Sequence, residues 1–104
     1  MDYFFIGEAE LLSSFRLVGV QGEAVQNAEE AREAFLKVIQ EGEATGCRVL
    51  ILTEEASDWL GDELVQWQLT GKYPLVVEIP GIMGRQPGRK TLVDSIREAI
   101  GIHV

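Results

Sequence analysis

Cys47-Arg48-Val49-Leu50-Ile51-Leu52 is a nearly unbroken apolar run. It is too short for a helix, and apolar side chains at consecutive positions, rather than alternate ones, mark a strand covered on both faces. Such a strand belongs in the middle of a parallel sheet, so its neighbours in sequence should be crossover helices. On its N-terminal side, Asn27 and Glu30 have capping-box spacing. Ala31, Ala34, Phe35, Val38 and Ile39 then form one apolar stripe. Glu29, Glu30 and Glu33 fall in the first turns, where the helix dipole favours negative charge. On the C-terminal side, Thr53 can cap a third helix that carries Trp59, Leu60, Leu64 and Trp67 and stops at Gly71.

Further out, Tyr3-Phe4-Phe5-Ile6 reads as a strand ended by Gly7, followed by a helix with Leu11, Leu12 and Phe15 at helical spacing. Glu23-Ala24-Val25-Gln26 is a weakly signalled second strand. Pro74 to Ile79 is the fourth, and it halts at Pro80-Gly81, where proline lacks the ladder N–H and glycine frees the backbone to turn. A loop rich in glycine and arginine reaches Lys90. Thr91 then caps a final helix with Leu92, Ile96 and Ile100 on one side and Gly101 at its end. Strands alternating with helices predict an α/β fold: a small Rossmann-like, receiver-like doubly wound sheet of four parallel strands. The predicted organisation is a core domain over 1–80, a hinge loop over 81–90 and a C-terminal helix over 91–104.

A chain of 104 residues has room for one domain. Its net charge of −8 argues against nucleic acid, which draws its affinity from phosphate neutralisation. Residues 1–79 carry 5 basic and 15 acidic side chains, whereas residues 80–104 carry 4 and 2. A basic end on an acidic body suits contact with an acidic neighbour or with the body itself. No apolar run approaches the roughly 18 residues that span a bilayer, and the N-terminus does not read as a signal peptide. Cys47, the single cysteine, is expected buried in a reducing, cytoplasmic setting.

Four chemistries fail on the residues. Gly84-Arg85-Gln86-Pro87-Gly88-Arg89-Lys90-Thr91 sits where a phosphate loop would, but three residues rather than four separate its glycines. Arg89 also displaces the lysine, and Pro87 removes an N–H donor. A phospho-accepting receiver needs an aspartate at the end of its third strand, where this chain has Thr53-Glu54-Glu55. One histidine, His103, and one cysteine cannot build a zinc site, and Glu54, Glu55, Asp58 and Asp62 read as a solvated helix face. Ser13, Ser14, Ser57 and Ser95 lie in no nucleophile elbow. Trp59 and Trp67 read as core or interface anchors. No catalytic, cofactor-binding or metal-ligating residue is expected.

Three strings together resemble the F subunit of the V-type/A-type ATP synthases, a small component of the central stalk. They are Gly7 followed by Ser14-Phe15-Arg16-Leu17-Val18-Gly19, then Ile51-Leu52-Thr53-Glu54-Glu55, then Pro74-Leu75-Val76-Val77-Glu78-Ile79-Pro80-Gly81. The closing Leu92 to Gly101 is similar to that family's C-terminal helix, and the likeness spans the chain in order. It implies a Rossmann-like domain without an active site, bound to the D subunit on the rotating stalk. It also implies a tail helix that can move and modulate ATPase activity in the A/B head, with the domain peripheral to the membrane through the complex only. The expected partner contacts are Phe15, Arg16 and Leu17, with Ile79, Pro80, Gly81 and Ile82 at the last strand's exit. Arg85, Arg89 and Lys90 would steer the tail. The alternative is a receiver-like or pseudo-receiver signalling module that binds a partner protein.

Overall fold

A computed structural model describes residues 2–101, without the side chains of residues 42, 43 and 45. The chain runs β1 (Tyr3–Gly7), α1 (Ala9–Leu17), β2 (Gln21–Ala24), α2 (Ala28–Thr45), β3 (Val49–Thr53), α3 (Glu54–Leu60), α4 (Asp62–Leu69), β4 (Leu75–Ile79) and α5 (Leu92–Ala99). These four strands are parallel in the order β2-β1-β3-β4. This is the doubly wound α/β sheet that the alternation of elements predicts, with the C-terminal helix after a loop.

Three local expectations shift. The second strand starts two residues earlier than its apolar content suggests, because Gly22 is part of the ladder. It lies opposite Phe5, where a Cβ would run into the Phe5 carbonyl oxygen, so only glycine fits. The helix expected after β3 is two helices. Gly61 takes φ +56°, a left-handed value that glycine adopts freely, and the chain bends there between α3 and α4. At the start of α2, Asn27 accepts the Glu30 N–H at 2.9 Å as expected. The Glu30 carboxylate takes the N–H of Gln26 at 2.8 Å, one residue before the expected partner. The caps at Thr53 and Thr91 form as predicted, the latter as a reciprocal box with Asp94.

Helices α2 to α5 share one face of the sheet. Ile6, Leu50, Leu52 and Val76 point into a core with Phe35, Ala31 and Ala34 of α2, Leu60, Leu64 and Val65 of α3 and α4, and Leu92 of α5. Trp67 meets Phe35 edge-on at 6.5 Å, while Trp59 is partly buried against the same cluster. On the other face, among the described residues, α1 stands alone and covers β1 and β2: Phe15 stacks on buried Phe5 at 4.6 Å. The outer edge of β4 is blunted by Gln68, whose amide accepts the Val76 N–H at 3.1 Å and donates to its carbonyl at 3.4 Å. That side chain occupies hydrogen-bonding positions an added strand would need.

Candidate partner interface

Parallel register sets the rows of side chains on the face that α1 only half covers. Tyr3, Val49 and Leu75 form one row, Phe5, Ile51 and Val77 the next, and Thr53 with Ile79 the third. Val76 points into the core, so strand alternation sends Leu75, Val77 and Ile79 the opposite way. Leu75 is 40 % exposed and Val77 47 %, and Val49 and Ile51 are only half-buried. The expectation that the third strand is covered on both faces thus holds for Leu50 and Leu52 but not for Val49 and Ile51. The uncovered part is two strands wide, about 10 Å at usual strand spacing. That is the breadth of one α-helix. A hollow of about 320 Å³ opens on its first row, lined by Tyr3, Val49, Leu75 and Arg48, with the Arg48 guanidinium 5.3 Å from the Tyr73 ring centre.

The sequence-predicted contact residues bracket this open face rather than forming one cluster. Phe15, Arg16 and Leu17 occupy the last turn of α1, which runs back to the edge where β2 begins. Phe15 borders the face through Phe5, and Leu17 is 88 % exposed. Ile79, Pro80, Gly81 and Ile82 lie at the opposite edge, where the strands end. There the chain makes a tight turn closed by the Gly84 N–H to the Gly81 carbonyl at 2.9 Å. The Glu8 carboxylate fixes it by accepting the Ile82 N–H at 3.0 Å, and a Cβ at Gly81 would have to push that carboxylate aside. The turn presents Ile82 and Met83 to solvent, Met83 almost completely.

The residues read as tail-steering have different fates. Arg89 is buried, with 8 % of its side chain exposed. It donates to both Glu78 oxygens at 2.7 and 2.8 Å, to Asp58 at 2.7–3.1 Å and to the Glu54 carbonyl at 3.2 Å. Arg85 stays exposed, 3.5 Å from Glu54, and Lys90 pairs with Glu98 of α5. Glu54 is not on a solvated helix face: it is buried, and it accepts the Gln86 N–H at 3.0 Å. These carboxylates were missed as a group because they come from α3 and β4, far apart in sequence. The readable signal is Glu78, a lone acid in an otherwise apolar strand.

Burial pushes the Glu78 carboxyl up, but hydrogen bonds from Arg89, Ser57 and the Leu92 N–H outweigh it and hold it below the usual carboxylate value. A carboxylate with a lowered folded pKa contributes stability that is fully present above its unfolded value, about 4.3. That stability is lost as pH falls through the folded value. Chemical denaturation between pH 7 and pH 3 should show wild type losing more stability than Glu78→Gln. Parallel curves would assign the acid sensitivity to other groups.

A profile of the ATP synthase (F/14-kDa) subunit family matches residues 4–100. This chain belongs to that family. The chain is 29 % identical over 102 residues to the A-type ATP synthase F subunit of Methanothermobacter thermautotrophicus, covering 95 % of this chain and 92 % of that protein. It is 30 % identical over 110 residues to the A-type F subunit from Pyrococcus abyssi, covering 100 % of this chain and 98 % of the relative. The Pyrococcus furiosus F subunit is 24 % identical over 111 residues, with 100 % and 98 % covered. Among the described residues, no helix of this family member is long and apolar enough to cross a membrane.

Proposed function

We propose that this chain is a non-catalytic component of the central stalk that grips a long helix of the D subunit and turns with it. In this role it couples ATP synthesis or hydrolysis in the A/B head to ion transport in the membrane. The observation that carries the reading is the uncovered face over β3 and β4: apolar, one helix wide and flanked by α1. A helix seated there would complete the second layer of the sandwich, as α2 to α5 complete the first. Each strand has five residues and spans about 16 Å. That length matches about three turns of the partner helix. Phe15 and Leu17 would flank the seated helix near one end, with Ile79, Pro80, Gly81 and Ile82 at the other. Arg16 would offer an acidic partner one positive charge at the rim.

A doubly wound sheet is stiff, as torque transmission requires. The tail from Arg85 through Lys90 into α5 is the part placed to reach the A/B head and modulate its ATPase. The domain is then cytoplasmic, and peripheral to the membrane only through its complex. The receiver-like alternative has only the shape of the sheet in its favour. At the position of the phospho-acceptor, Thr53 is buried capping α3, and Glu54 is buried holding the loop.

Co-expression with the candidate D subunit tests the reading. A 1:1 complex on size exclusion at micromolar concentration is expected. Separate elution of two folded proteins would overturn it.

A further inference from the structure

On the side where β3 and β4 begin, the open face ends in a corner built of Arg48, Tyr3 and Tyr73. Arg48 just precedes β3, and its backbone is held from both sides. Its N–H donates to the Asp2 carbonyl at 2.9 Å, and its carbonyl accepts the Leu75 N–H at 2.8 Å. Its side chain is exposed, with the guanidinium 5.3 Å from the centre of the Tyr73 ring. Tyr3 and Tyr73 stand half-exposed around the hollow, which Asp2 also lines.

Acidic side chains outnumber basic ones in this chain by 17 to 9, so a cation readily finds a carboxylate. Arg32, Arg85 and Arg89 each do. Arg48 does not: among the described residues, its side chain makes no ion pair and no hydrogen bond. The aromatic ring holds the guanidinium without neutralising it. The planar fork of N–H donors, which matches a carboxylate, is left unused. Tyrosine and arginine are also the residue types that most often anchor protein interfaces.

The apolar part of the face cannot by itself set the position of a helix lying on it. A regular apolar stripe repeats along a long helix about every seven residues, or 10 Å, so a seat of leucine, valine and isoleucine accepts several registers. A cation at one end favours the register that brings an acid to it. We infer that Arg48, held over Tyr73, receives an aspartate or glutamate of the docked helix, and that this ion pair fixes where along the helix the domain sits. The inference rests on the reading that a D-subunit helix docks on this face.

Titration calorimetry of the full chain against the D subunit, at low and high salt, reads the ion pair. Arg48→Glu should weaken binding at least about tenfold at low salt, and Arg48→Gln by less, both with a flatter salt dependence than wild type. Each variant alone should melt close to wild type, because the side chain is exposed. Register is read by carbodiimide coupling of Arg48→Lys, whose amine should join one carboxylate position on the D subunit, mapped by mass spectrometry. Wild-type affinity for Arg48→Glu would overturn the inference, as would coupling at no position or scattered over several turns of the helix. If wild type still co-elutes with the D subunit, those results remove this corner and leave the docking face standing; no wild-type complex removes both.

Discussion

Val77→Asp is expected to weaken association with the D subunit sharply while leaving the domain folded. Val77 sits in the middle row of the open face, between half-buried Ile51 and the outer edge of the sheet. A carboxylate there would be stripped of water by the seated helix, with apolar Ile51 rather than a cation beside it. Central, desolvated contacts carry most of the energy of an interface, and losing one costs about 100-fold in affinity, close to 3 kcal/mol. In the isolated chain the same side chain can still reach water, because Val77 is 47 % exposed. The fold should lose only about 1 kcal/mol, the span of strand propensities. Titration calorimetry of the variant against the D subunit, beside a thermal melt of the variant alone, separates the two effects. An unchanged affinity would move the docking surface elsewhere.

Phe35→Ala should cost the most stability of any single truncation, about 3–5 kcal/mol, the range for emptying an aromatic site in a core. Phe35 is fully buried on α2, meets Trp67 edge-on and packs in the cluster joining α2 to the sheet. Small domains hold only about 5–15 kcal/mol in total, so the variant would be near its folding limit. Urea unfolding followed by tryptophan fluorescence measures the loss. A cost below about 1 kcal/mol would mean that the core collapses into the space. Val77→Asp should then affect binding and spare stability, whereas Phe35→Ala acts on stability first and on binding only through the loss of folded protein.

The two variants mark which parts of this protein its residues declare. Alternation of apolar strands with striped helices, and caps at Thr53 and Thr91, are local properties, so the order of elements and the parallel sheet were readable. Gly61 hid its bend because glycine inside an amphipathic stripe interrupts no apolar period. The place of Gly22 in the second strand was not readable, because its close approach to Phe5 depends on the neighbouring strand.

The site was less legible. The apolar run in β3 announces burial on both faces, but it cannot say whether the chain or another protein supplies the cover. Arg89 lay within a run of basic residues, and only folding brings Glu78 and Asp58 around it from β4 and α3. Local spacing determined which segments become strands and helices, since capping, turning and amphipathicity act over a few residues. Which apolar face stays open, and which charges meet, depended on contacts between segments tens of residues apart, and those exist only once the sheet has assembled.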